Sequence, residues 1–188
     1  MKLPKKLLFL IALVSVVIFF VVFAYLFLKQ IKLNKPQINF QAPQTKKEEV
    51  VNYVIDGDTI KIPSGEKVRY IGMNTPETDE CFGTEATKEN KKLVEQHKVI
   101  LVKDVSETDK YGRLLRYVYV ENCDQIVSSK YCESNNTLFV NKYLLQNGFA
   151  TLMQIKPDTK YYDKFKKLEK QAKESNVGLW KHCRQGVK

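Results

Sequence analysis

Val68 to Thr78, VRYIGMNTPET, gathers a cation (Arg69), an amide (Asn74), a Thr75-Pro76 turn and a carboxylate (Glu77) where a strand runs into a loop. Proline restricts both itself and its predecessor, so such a turn can present the Asn74 side-chain oxygen and the Thr75 carbonyl in one direction. Upstream, VIDGDT (Val54–Thr59) sets Asp56 and Asp58 on either side of a glycine. Oxygen donors of these kinds suit a hard cation such as Ca²⁺. Glu77, just beyond, is a candidate acceptor for a proton leaving water. Downstream, DKYGR (Asp109–Arg113) brings a second arginine to the start of a strand, with Lys110 and Tyr111 beside it. The planar forks of Arg69 and Arg113 match phosphate oxygens. One hard-ion site, one carboxylate base and two guanidinium groups are a minimum set for hydrolysing a phosphodiester. Charge builds on the five-coordinate phosphorus while the attacking water loses a proton. Taken singly, each piece has a plainer reading: D-G is a hairpin or bulge signal, Tyr-Gly is an ordinary turn, Arg69 is a surface strand residue and Glu77 a loop charge.

The elements that must position these groups are short strands followed by helices. Val50–Ile55 and Thr59–Ile62 are β-branched runs around DGD, and PSGE marks a turn before a third strand at Lys67–Met73. KVILVKDV (Lys98–Val105) and RLLRYVYV (Arg113–Val120) read as two more. Gly83–Gln96 reads as a helix with Ala86, Leu93 and Val94 on one side. Asn141–Asn147, stopped by Gly148, reads as a short helix, and Tyr161–Ser175 as a long amphipathic one. Trp180 is expected to plug the core behind the last helix. Five short strands with helices inserted late point to an α+β architecture, a small barrel with helices, for which the OB-fold is the leading candidate.

VIDGDT, VRYIGMNTPET, DKYGR and a C-terminal GLW, in that order, closely resemble the staphylococcal nuclease (thermonuclease) family over approximately Val50 to Trp180. The resemblance implies a five-stranded OB-type barrel with helices. The activity it implies is Ca²⁺-dependent cleavage of DNA and RNA at the 5′ P–O bond, leaving 3′-phosphates. Carried over by motif, Asp58 and Asn74 would be side-chain ligands of the ion and the Thr75 carbonyl a third, with Asp56 in or near the surrounding shell. Glu77 would be the general base, Arg69 and Arg113 would bind the phosphate, and Lys110 and Tyr111 would contact substrate. Many members have Asp where this chain has Asn74; the amide keeps an oxygen and removes one negative charge, which predicts weaker Ca²⁺ binding. Where the prototype places tyrosines before a Lys-Pro, this chain has Met153 and Ile155, leaving Tyr111 available for stacking.

The chain of 188 residues divides sharply near its start. After a short basic tail (1–6), Leu7–Leu28 carries no charge. As a helix it would be roughly 33 Å long, enough to cross a ~30 Å hydrocarbon core. It exceeds the ~7–15-residue apolar region of a cleavable signal peptide, so the expectation is an uncleaved transmembrane anchor. Residues 29–47, with Pro36, Pro43, scattered Lys and Gln, read as a linker to one domain over 48–188. Of the +10 net charge, six positive charges flank the apolar run and the remainder is about +4, mildly favourable for a polyanionic partner. All four cysteines follow the apolar run, and their even number suits two disulfides in an oxidising compartment. Four cysteines allow three pairings. The favoured one is Cys123–Cys132, clamping an insertion at Glu121–Thr137, with Cys81–Cys183 tying the tail to the domain. The expected protein is a monomer whose domain lies outside the cell membrane, held by the anchor, with DNA and RNA as substrates. The alternative is a non-catalytic nucleic-acid-binding OB-fold module; such a module would be expected to lose an arginine or the glutamate, and this chain keeps both.

Overall fold

The protein is described by a computed structural model over residues 22–23 and 47–183. Of a first unit, Met1–Ile38, only the exposed helical residues Val22 and Phe23 are described. The expected anchor at 7–28 otherwise lies outside the described residues, as do the tail 1–6 and the expected linker except Lys47. Among the described residues no helix is long and apolar enough to cross a membrane.

Within the second unit, the described strands are β1 (Lys47–Val50), β2 (Tyr53–Val54), β3 (Thr59–Lys61), β4 (Lys67–Tyr70), β5 (Met73–Asn74), β6 (Lys98–Val102), β7 (Leu114–Val120), β8 (Leu138–Phe139) and β9 (Thr151–Leu152). The described helices are α1 (Gly83–Val94), α2 (Cys123–Ile126), α3 (Val140–Gln146), α4 (Tyr162–Glu174) and α5 (Leu179–His182), with a 3₁₀ turn at Ser129–Tyr131. The main sheet runs β1-β6-β7-β4-β3-β2, with β8 also on β7; β5 and β9 pair separately. All its neighbours are antiparallel except β4 and β7, which run parallel with Arg69 opposite Leu115. β7 is buried along its whole length, which is why its sequence alternates so little.

Two expected strands are each broken in two. The run read as Val50–Ile55 divides around Val51 and Asn52: β1 pairs with β6, and β2 pairs with β3. The run read as Lys67–Met73 divides at Ile71–Gly72, where Asn141 on α3 inserts its amide. Asn141 Nδ2 donates to the Ile71 carbonyl (3.0 Å) and its Oδ1 accepts from the Val118 N–H (2.9 Å). The freed end becomes β5, which pairs with β9 at Met73–Leu152 and Asn74–Thr151. The β-branched pattern could not reveal either break, because both come from partners distant in sequence.

The core lies between the sheet and the helices. α1 buries Ala86, Asn90, Leu93 and Val94, and α4 buries Phe165, Leu168 and Ala172. Tyr117, Phe139, Tyr161 and Phe165 form one aromatic cluster, with ring centres 4.7 Å apart for Tyr117–Tyr161 and 5.3 Å for Phe139–Tyr161. Each fully buried side chain of this size contributes about 1.5–3 kcal/mol. The residue that plugs the end of the last helix is Leu179, which is fully buried, and not Trp180 as expected. Trp180 is half-buried and lies under the Lys173 ammonium, 4.4 Å from its ring centre. Both favoured disulfides are present: Cys123–Cys132 across the insertion, which holds α2 and the 3₁₀ turn, and Cys81–Cys183.

Candidate active site

The site forms where β3 begins and β4 and β5 end. Asp58 immediately precedes β3, and its backbone carbonyl accepts the Tyr70 N–H of β4 (3.0 Å), so strand pairing carries it to Arg69. Its carboxylate is buried, and each oxygen has a partner. Oδ2 accepts the Thr75 N–H (2.8 Å) and lies 3.1 Å from Arg69 Nη2, while Oδ1 accepts the Thr59 hydroxyl (3.0 Å). Gly57 allows this approach. A Cβ at that position would sit 2.6 Å from Thr75 Oγ1 and as close to its carbons, so a side chain would push the Asp58 and Thr75 segments apart.

Arg69 is the hub, and the surface strand residue of the plainer reading is in fact buried. Its Nη1 donates to the carbonyls of Tyr70 (2.8 Å) and Met73 (2.9 Å), and its Nη2 donates to Asn74 Oδ1 (2.8 Å). Met153 Sδ stands 3.7 Å from the same nitrogen. Asn74 is exposed but held on both sides, since its Nδ2 donates to the Thr75 carbonyl (3.1 Å). Asp56 supports the loop: its Oδ1 accepts the Asp58 N–H (2.9 Å), and its carbonyl accepts Asn90 Nδ2 from α1 (2.9 Å). Asn90 Oδ1 in turn accepts the Tyr70 hydroxyl (3.0 Å). Asn90 is thus a support that the sequence disguised as one polar residue on an apolar helix face.

Burial pushes the Asp58 carboxyl up to about 6, with Asp56's charge acting the same way and Arg69 opposing. Burial also lowers Arg69, with Asp58 opposing and the charge of Arg113 adding to the lowering.

Arg113 belongs to a second cluster beside the first. Its Nε donates to Asp109 Oδ2 (2.7 Å), and Asp109 Oδ1 accepts the N–H groups of Tyr111 (2.9 Å) and Arg113 (3.0 Å). Burial works against the Asp109 charge, but these bonds hold its carboxyl below the usual range. Tyr111 is 71% exposed, with the Arg113 guanidinium 5.4 Å and the Lys110 ammonium 4.9 Å from its ring centre. An exposed ring with two cations against it is suited to a base with its phosphate. Asp109 had no assigned role in the sequence reading, although an aspartate four residues before an arginine is the signal that finds it.

Glu77 is exposed, and its carboxylate makes no hydrogen bond or ion pair among the described residues. The fold thus joins Asp56, Asp58, Arg69, Asn74 and Thr75 into one network and Lys110, Tyr111 and Arg113 into another. Glu77 is bonded through its side chain to neither. Among the described residues no group of three His, Cys, Asp or Glu could hold a metal. The available donors, the Asp58 carboxylate, Asn74 Oδ1 and the Thr75 carbonyl, are all oxygens, and only one is charged. That set fits a hard divalent cation bound weakly.

Residues 67–182 match the family described as "Staphylococcal nuclease homologue". The match includes Arg69, Asn74, Thr75, Glu77 and Arg113, whereas Asp56 and Asp58 precede it. The chain is similar to the SPbeta prophage-derived endonuclease YokF of Bacillus subtilis, at 38% identity over 137 residues covering 67% of this chain and 41% of that protein. It is similar to endonuclease YncB of the same organism, at 39% identity covering 67% and 58%. A thermonuclease of Staphylococcus hyicus is 32% identical over 136 residues, covering 68% of this chain and 72% of that one. The chain spans less than two thirds of the length of the first two relatives. On the extent of the profile match and these identities, the chain belongs to the staphylococcal nuclease homologue family.

Proposed function

We propose that this chain is a Ca²⁺-dependent nuclease that hydrolyses DNA and RNA at the 5′ P–O bond and leaves 3′-phosphates. The observation that carries the reading is the Arg69 guanidinium, from β4, held between Asp58 and Asn74, with Arg113 directly preceding β7, the strand paired beside it. Asp58, Asn74 and the Thr75 carbonyl would hold the cation, which would supply positive charge beside the developing phosphorane. Arg113 and Arg69 would bind the phosphate oxygens and stabilise their growing charge. Glu77 accepts a proton from the attacking water as its oxygen bonds to phosphorus. The bond to the 5′ oxygen breaks, and that oxygen takes up a proton from solvent. Lys110 and Tyr111 receive the neighbouring phosphate and base.

The same proposal includes closure of the main sheet into an OB-type barrel. β1 and β2 stand at opposite ends of the strand order yet are adjacent in the chain, which supports it. It also includes a monomer tethered outside the cell by the apolar run at 7–28. The pairing of all four cysteines supports an oxidising compartment.

Asn74 gives the site a particular character. Its N–H covers the Thr75 carbonyl, a proposed ligand, so an ion must displace that bond and gains no charge from the amide. Asn74→Asp adds a unit charge, worth several kcal/mol at about 4 Å in an effective dielectric of 20. The substitution is expected to tighten Ca²⁺ binding roughly tenfold or more. In thermal melts the rise in Tm with Ca²⁺ should be larger for Asn74→Asp than for the parent. Equal shifts would remove Asn74 from the ligand set.

The direct test incubates the full-length chain with single-stranded DNA and with RNA, in Ca²⁺ and in chelator. Expected are fragments ending in 3′-phosphate with Ca²⁺ and intact substrate with chelator. Retention of substrate without cleavage under both conditions would replace the enzyme by a binding module.

A further inference from the structure

We infer that Glu80, together with the Cys81–Cys183 bridge, is a positioning device for the Glu77 carboxylate; this rests on Glu77 acting as the base. A general base must be placed to within about 1 Å to work well. With no partner among the described residues, the Glu77 side chain depends on its backbone for direction.

That backbone is strapped at several points. The Glu77 N–H donates to Glu80 Oε2 (2.9 Å), and the Glu80 N–H donates back to the Glu77 carbonyl (2.9 Å). This reciprocal pair closes the loop on itself. Gly83, the first residue of α1, lies against the same carbonyl, so near that a Cβ there would come within 1.6 Å of the oxygen. The Thr84 hydroxyl donates to the Thr78 carbonyl (3.1 Å). Between Glu80 and Gly83, Cys81 is bonded to Cys183, which follows α5. α5 is itself fixed in the core by buried Leu179, whose N–H donates to the Gly148 carbonyl (2.8 Å). Phe82 completes the strap. It has a φ of +70°, a left-handed conformation costly for its side chain, with its ring 5.5 Å from both Phe149 and His182. A loop that needed only to connect β5 to α1 has no use for this many constraints; a loop carrying a catalytic carboxylate has.

The test is steady-state cleavage by the full-length chain, with rates corrected for folded fraction. Glu80→Ala should lower kcat roughly 10- to 100-fold at unchanged KM. Glu80→Gln, whose amide oxygen still accepts the Glu77 N–H, should stay near the parent. Hydrogen exchange across residues 77–83 should quicken in Glu80→Ala and in Cys81→Ser/Cys183→Ser, and the latter should also lose kcat. In a Glu77→Gln background, Glu80→Ala should have no further effect on the residual rate. A parent-like kcat for Glu80→Ala, or the same loss with and without Glu77, would overturn the positioning role. If Glu77→Gln itself cleaved at the parent rate, the base assignment would fall instead, whatever Glu80 does.

Discussion

Glu77→Gln is expected to lower kcat by roughly 10²–10⁴-fold, the usual contribution of a positioned general base. Melting temperature and Ca²⁺-free stability should stay close to the parent. The reason lies in what Glu77 touches. Its carboxylate is exposed and bonded to nothing among the described residues, so exchanging one oxygen for NH₂ removes basicity without breaking a native bond. The Glu77 N–H and carbonyl, which hold the loop, are unaffected by the change. Single-turnover cleavage beside a urea titration measures both halves. A variant that cleaves at the parent rate would show that another group takes the proton.

The two arginines should fail in different ways, although the sequence offers them as equals. Arg113→Ala should cost about 10²–10³-fold in kcat, the scale of a lost charge-stabilising donor. The fold should largely remain, because the side chain is partly exposed and its main anchor is one carboxylate, Asp109. Arg69→Ala should lose at least as much activity and also about 3–5 kcal/mol of stability, the scale for removing one partner of a buried ion pair. It would strand Asp58, together with the carbonyls of Tyr70 and Met73 and the Asn74 oxygen. Urea midpoints and kcat for both variants separate the effects. Equal stability losses would mean that Arg69 is not the structural hub its contacts describe.

How much was legible from sequence differs from residue to residue. The positions of α1, α3 and α4 to within a few residues follow from periodicity, whereas four cysteines leave three pairings open in sequence, and the favoured one, Cys81–Cys183 with Cys123–Cys132, is settled by the fold. The breaks at Val51–Asn52 and Ile71–Gly72 do not, because β-branched runs look alike whether they pair with one neighbour or two. Trp180 was the obvious core plug by size, yet the α5 backbone turns Leu179 inward and leaves the indole under Lys173. Glu80 carries no mark in the sequence, because a carboxylate in a polar loop reads as solvated charge until its acceptor bonds are seen, and Asp109 has only its spacing from Arg113.

By itself the sequence determined which groups are available: oxygen donors at Asp58, Asn74 and Thr75, a carboxylate at Glu77, and guanidinium groups at Arg69 and Arg113. Their order and local turns are covalent facts that need no fold. Only the tertiary structure decided which of them meet. The bond from the Thr75 N–H to Asp58 spans 17 positions, and it exists because β3–β4 register brings the two segments together across Gly57. Burial then made Arg69 a buttress as well as a candidate phosphate clamp, and left Glu77 free-standing on a strapped loop. Solvent exposure and through-space pairing are properties of the assembled sheet, and no local spacing encodes them.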